Sequence, residues 1–187
     1  MELELEEDAV TTVYRFDPER DRPAIERLWR AYARESADRI RVEAGVELDP
    51  ESVVGRDLEG IADLLPPSGQ LLLADIDGVP VGCGSLRRLG GRELELKRLF
   101  VDAAARGRGV GRALVEALLK EAAAAGAELV RLDAGWYTRE ALALYRSLGF
   151  VETPPYPESE IPPEHHARWT FMARQPGGPL PPPLPTP

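Results

Sequence analysis

At 187 residues, with 43% hydrophobic and 29% charged residues, the chain has enough apolar material for one cored domain. Its net charge of -9 argues against a nucleic-acid surface, and the single cysteine, Cys83, excludes an internal disulfide framework and a cysteine-rich zinc site. The acidic start MELELEEDAV lacks the basic and apolar regions of a secretion signal, and no stretch is apolar over the length of a bilayer, so a cytoplasmic location without a membrane partner is the expectation.

Residues 1–10 read as an acidic lead-in and 11–16 (TTVYRF) as a strand, from alternation and β-branched content. Asp17-Pro18 predicts a helix start, with Asp17 as cap. Ile25, Leu28, Trp29 and Tyr32 extend that helix to Arg34. Residues 36–70 hold no single period. Pro50-Glu51 opens a second helix there, and Pro66-Pro67-Ser68-Gly69 stops it.

Three strands follow, at 70–75, 79–86 and 92–101, separated by the turn signals Asp77-Gly78 and Gly90-Gly91. This is an antiparallel meander. A helix over 109–125 carries Val110, Leu114 and Leu118 and ends at Gly126. A buried strand at 129–132 completes a right-handed β-α-β crossover. A helix over 139–148, a strand from Phe150, a proline-rich loop at 153–166 and a last strand at 168–173 complete a domain over 11–174. Residues 175–187 form a proline- and glycine-rich tail without periodicity, expected to be disordered or extended. The fold class is α+β: a mixed sheet, meander then crossover, with helices on both faces.

Between the third meander strand and the next helix lies Arg106-Gly107-Arg108-Gly109-Val110-Gly111, a basic glycine turn at a helix start. Unpaired N–H groups and the positive end of the helix dipole suit a phosphate there. A nucleotide-hydrolase loop is excluded, because Arg112-Ala113 stands where a lysine and a hydroxyl residue are needed. The dinucleotide pattern fails too, since the spacing is GxGxG after a meander. A tight turn with no ligand also fits these residues.

The stretch resembles the GCN5-related N-acetyltransferase (GNAT) family, whose central motif (Gln/Arg)-x-x-Gly-x-(Gly/Ala) is matched by residues 106–111. ALALYRSLGF at 141–150 matches that family's A-x-x-LY-x-x-x-GF ending, and ELKRLFV with Pro155-Tyr156 is similar to a bacterial small-molecule subgroup. The resemblance implies acetyl-CoA as cosubstrate and no metal. It places Arg106, Gly107, Arg108, Gly109, Val110, Gly111 and Arg112 at the pyrophosphate. It puts backbone of Leu99, Phe100 and Val101 beside the pantetheine arm, where strands four and five splay apart. It implies Tyr145 as general acid toward the sulfur and Glu95, six residues before Val101, as general base, with Glu93 a rival. Two-residue periodicity puts Glu95, Lys97, Leu99 and Val101 on one face. Pairing of Glu95 with Lys97 or Arg98 stands beside the base role. Tyr137-Thr138-Arg139-Glu140 departs from the family, which often has Asn before this helix. The implied activity is acetyl transfer to a primary amine of a small or amino-acid-like acceptor; the alternative is a non-catalytic acyl-CoA-binding regulatory domain. A homodimer is also within the resemblance.

Cys83, between Gly82 and Gly84, reads as small packing, and His165-His166 as a surface pair. Trp136, Tyr137 and Tyr156 are candidates for the acceptor site by loop position alone.

Overall fold

The computed structural model describes residues 11–178. The acidic lead-in and residues 179–187 of the tail lie outside them.

Strand β1 (Thr11–Arg15) leads through a turn to helix α1 (Arg22–Ala44). Asp17 does not cap that helix. Its carboxylate accepts from the N–H groups of Glu19 and Arg20, 2.9 and 3.1 Å away, and so closes a separate turn. Asp21 takes the N-cap position, with Pro23 in the first turn. α1 runs ten residues past the expected end because no breaker intervenes before Gly45, whose φ of 66° terminates it. Glu35 and Arg39, four apart and 2.9 Å from each other, lie on this extension. Helix α2 (Pro50–Glu59) starts where Pro50 predicts, with Asp49 accepting from the N–H groups of Glu51 and Ser52.

Strands β2 (Gly69–Ile76), β3 (Val79–Gly90) and β4 (Glu93–Val101) form the meander. Asp77 and Gly78, with φ of 52° and 79°, make the two-residue turn between the first two. Helix α3 (Val110–Ala124) crosses over to β5 (Leu129–Gly135), which runs parallel to β4. Helix α4 (Arg139–Ser147), β6 (Val151–Glu152) and β7 (Trp169–Arg174) complete a sheet of order β1-β2-β3-β4-β5-β7-β6.

One face of the sheet buries Leu114 and Leu118 of α3, Leu142 of α4 and Leu148 just after it against Leu72, Leu96 and Leu132. The other packs Ile25, Leu28 and Trp29 of α1 on Leu71, Leu73 and Cys83. Each fully buried leucine contributes about 2 kcal/mol through loss of water contact.

β4 does not alternate simply. Ser85 pairs with Lys97 but Cys83 with Phe100, so β4 carries one extra residue at a bulge. Arg98 adopts φ 54° there, and its guanidinium is tied to Asp57 at 2.5 and 2.8 Å. The bulge corrects the expected shared face. Leu99 and Val101 turn toward α3, with Leu94 and Leu96, while Glu95 and Phe100 turn toward α1.

Candidate active site

β4 and β5 pair only at Glu93↔Leu129, Leu94↔Val130 and Glu95↔Arg131. Beyond Arg131, β5 keeps its partner β7 but leaves β4. The sheet therefore opens along the second half of β4, leaving backbone on that edge without a strand partner.

A cavity of about 510 Å³ occupies this opening. Leu99, Phe100 and Val101 line one side, and Arg106, Gly107, Gly109, Val110, Gly111 and Arg112 line its end. Tyr32, Glu35, Ser36 and Arg39 reach it from α1, while Tyr137, Thr138, Glu140, Ala141 and Leu144 reach it from α4 and the turn before it. Of the residues expected at the cofactor, only Arg108 is not in the lining; it is exposed.

The loop's geometry follows from its glycines. Gly107 and Gly109 take φ of 77° and 80°, positions that favour a residue without Cβ. Gly109 is the N-cap of α3 and supplies no side chain, so the first N–H groups of the helix have no side-chain cap. A Cβ on Gly111 would sit 3.3 Å from Leu144 Cδ2, which lets α3 and α4 approach closely. Arg106 donates to the Val101 carbonyl at 3.0 Å and to Glu35 at 2.5 Å. Arg39 bonds Glu35, Glu140 and the Tyr137 carbonyl. Ion pairs thus join α1 to both ends of the cavity. These features form an anion cradle beside an open strand edge, which fits a coenzyme that carries a pyrophosphate and an amide-bearing arm.

Tyr145 is buried against Phe150 at the α3 and α4 face, with ring centroids 5.6 Å apart. Burial, with Tyr32 and Asp133 nearby, holds its phenol well above the usual range, so it keeps its proton. Glu95 is 1% exposed and does not line the cavity. Its Oε2 is 2.6 Å from Arg87 Nη2 and 3.4 Å from Lys97 Nζ, and its Oε1 accepts from Tyr156 Oη at 2.7 Å. The pairing seen is thus chiefly with Arg87, across β3, with Lys97 at longer range. Arg98 belongs to Asp57. Glu93 is bound to Arg131.

Tyr137 lines the cavity; Trp136 packs edge-on against Tyr137 and Trp169, and Tyr156 points inward to Glu95 and Asp133. Cys83 is fully buried and its thiol is pushed up to about 12 by burial, which makes it a packing residue. His166 Nε2 lies 2.9 Å from the Ile161 carbonyl oxygen. Among the described residues no group of three His, Cys, Asp or Glu side chains is placed to hold a metal ion.

Sequence reasoning missed the α1 contribution, because the helix was ended at Arg34. The i,i+4 pair Glu35 and Arg39 was the available signal. It also passed over Asp133, a carboxylate interrupting the apolar run of β5.

Comparison with known proteins agrees with this geometry. A GNAT acetyltransferase domain model matches residues 67–152. The chain is 39% identical over 94 residues to an IAA acetyltransferase of Azospirillum brasilense, covering 50% of this chain and 61% of that relative. Against human N-acetyltransferase 8 the identity is 36% over 86 residues, 46% of this chain and 37% of the relative. The matched stretch thus spans less than two thirds of these relatives' lengths. Among solved structures, a Staphylococcus aureus GNAT acetyltransferase superposes with a TM-score of 0.66 at 21% identity, covering 89% of this chain and 99% of its own. An acetyltransferase of Salmonella typhimurium, solved with its cofactor acetyl-CoA, gives 0.59 at 21%, covering 88% and 93%. At that identity the structures establish the fold, and residues 67–152, which match the GNAT acetyltransferase domain model, carry the likeness to that family together with the curated relatives.

Proposed function

We propose that the protein is an acetyl-CoA-dependent N-acetyltransferase that passes the acetyl group directly to a primary amine of a small or amino-acid-like acceptor. The observation that carries this reading is the opening between β4 and β5, ended by the glycine loop of α3. Acetyl-CoA, when bound, supplies an activated thioester. The N–H groups of residues 108–112 would hold its phosphates, and the free edge of β4 at Leu99, Phe100 and Val101 would align its arm. An N–H near Leu99-Phe100 would polarise the acetyl carbonyl.

Tyr145 is the proposed proton donor to the departing sulfur; burial keeps its hydroxyl protonated, and the proton leaves only as the nitrogen's proton replaces it. Glu95 remains the proposed final proton acceptor, by an indirect route. Its oxygens are engaged, so a proton from the cavity would reach it through Tyr156 or water. The relatives with assigned names are acetyltransferases, and no observation favours a non-catalytic domain. A homodimer and a cytoplasmic location stay part of the proposal. No helix of the described residues is long and apolar enough to cross a membrane.

Release of free coenzyme thiol from acetyl-CoA, measured over a panel of amines, tests the activity. Amine-dependent release is expected. Tyr145→Phe should lower kcat by about 100-fold while leaving the acetyl-CoA Kd unchanged. Full activity in that variant would remove Tyr145 from the chemistry, and no release with any amine would contradict the function.

A further inference from the structure

Asp133 stands on β5 two residues beyond Arg131, the last residue of that strand paired to β4; it is not itself in the cavity lining but lies behind Tyr32 and Tyr137, which are. Its Oδ2 accepts from Ser159 Oγ at 3.0 Å and Tyr156 Oη at 3.2 Å. The Ser159 bond fixes the carboxylate; the single Tyr156 proton is shared with Glu95, which lies closer at 2.7 Å. Its Oδ1 accepts no hydrogen bond from the described residues, and the side chain is only partly buried.

The charges around it are otherwise matched. Asp57 is held by Arg98 at 2.5 Å, Glu95 by Arg87 at 2.6 Å, Glu160 by Lys97 at 2.7 Å and Glu93 by Arg131 at 2.5 Å. Asp133 alone of these acids has no basic partner within ion-pair distance among the described residues. Equally, each of those four basic groups is already taken by an acid. The groups facing Asp133 are Glu95 and Lys97 from β4, Tyr156 and Ser159 from the loop before β7, Tyr32 from α1, and Tyr137 and Tyr145 from the α4 region.

We propose that Asp133 is the acceptor-binding carboxylate, its Oδ1 receiving a primary ammonium and taking a proton from it, and that the acceptor is an amine with no carboxylate beside the nitrogen. The proposal rests on the acetyl-transfer reading and narrows its substrate class. A second carboxylate next to the ammonium would meet Asp133 and Glu95 while Arg87, Lys97, Arg98 and Arg131 are already paired, and would lose its hydration besides. Burial, and then the neighbouring Glu95 charge, hold the Asp133 carboxyl above the ordinary carboxylate range. That makes it a stronger base than a surface aspartate. In the transfer, the N–C bond forms as the C–S bond breaks. Of the two protons the nitrogen loses, Asp133 takes one first and passes it by way of Tyr156 toward Glu95, from which it leaves to solvent. The other replaces the proton Tyr145 gives to the sulfur.

The test is thiol release at saturating acetyl-CoA with phenethylamine and phenylalanine, which differ by one carboxylate, together with acetyl-CoA titration of each variant. Phenethylamine should exceed phenylalanine in kcat/KM by about 100-fold or more. Asp133→Asn should lower kcat/KM for phenethylamine by about 100-fold, abolish the acid limb of its pH profile, and leave acetyl-CoA affinity unchanged. Asp133→Glu should restore part of the loss. Equal turnover of the two probes, turnover of neither despite acetyl-CoA binding, or an unaltered Asp133→Asn profile would each overturn the proposal. A wild-type chain that binds no acetyl-CoA would instead remove the acetyl-transfer reading itself.

Discussion

Glu95 and Asp133 share the α1 face of the sheet and one tyrosine hydroxyl, yet their surroundings differ. Glu95 is ion-paired to Arg87 and Lys97; Asp133 has no ion pair and feels Lys97 only at longer range. Removing one partner of a buried ion pair leaves the other charge uncompensated, so Glu95→Ala should cost about 3 kcal/mol, read from denaturant midpoints. Asp133 should behave in the opposite sense. A carboxyl whose folded-state pKa is raised binds protons more tightly in the folded state than in the unfolded chain. Its contribution is present below the unfolded-state value near 4 and is lost as pH rises through the folded-state value. Asp133→Asn should therefore raise the melting temperature at pH 7, with the gain shrinking toward pH 4. A variant less stable than wild type at pH 7 would contradict the burial argument. None of this could be read from residue identities alone, because both are single acids on strands; the ion pairs that separate them come from β3 and from the loop before β7.

At the scale of elements, hairpins and helix starts carried by local chemistry were legible. Asp77-Gly78 supplies two positive φ angles, and Asp49-Pro50 supplies a cap and a pre-set first turn. Features set by distant packing were not. The β4 bulge falls on Arg98, a residue with no turn signature, and is held by Asp57 on α2. Asp17-Pro18 looked like a helix start because the competing turn, closed by Asp17's own carboxylate, uses the same residues. The motif Gly82-Cys83-Gly84 has a packing reason: a Cβ at Gly84 would lie 2.9 Å from Leu118 Cδ1 and 3.3 Å from Leu99 Cδ1. The glycine lets α3 lie against β3. Gly84→Val should destabilise by about 1–3 kcal/mol through overpacking, seen as a lower denaturant midpoint at unchanged slope.

Over the whole molecule, the sheet works as two halves joined at three residue pairs. β1 to β4 form one half, and β5, β7 and β6 the other. Their partial separation opens the cavity, and the two proposed proton-handling side chains lie behind its lining on opposite faces: Tyr145 on the α3 and α4 side, Asp133 on the α1 side. The glycine loop and the late tyrosine motif were readable because short-range spacing defines them. The proposed acceptor side was not, because it joins α1, β5 and the loop before β7, segments far apart in the chain. The net charge of -9 fits the same division of labour. A negative molecule attracts cationic acceptors at long range, while the anionic coenzyme of the proposed reaction would depend on the local cradle at residues 106–112.

That cradle is the central claim, and calorimetric titration with acetyl-CoA tests it most directly. The wild-type chain should bind one equivalent per protein. Gly109→Val, which places a β-branched residue at φ 80° in otherwise open space, should keep its fold yet weaken binding at least about tenfold, or 1.4 kcal/mol. Equal affinity in the two proteins, or no saturable binding by the wild type, would contradict the account.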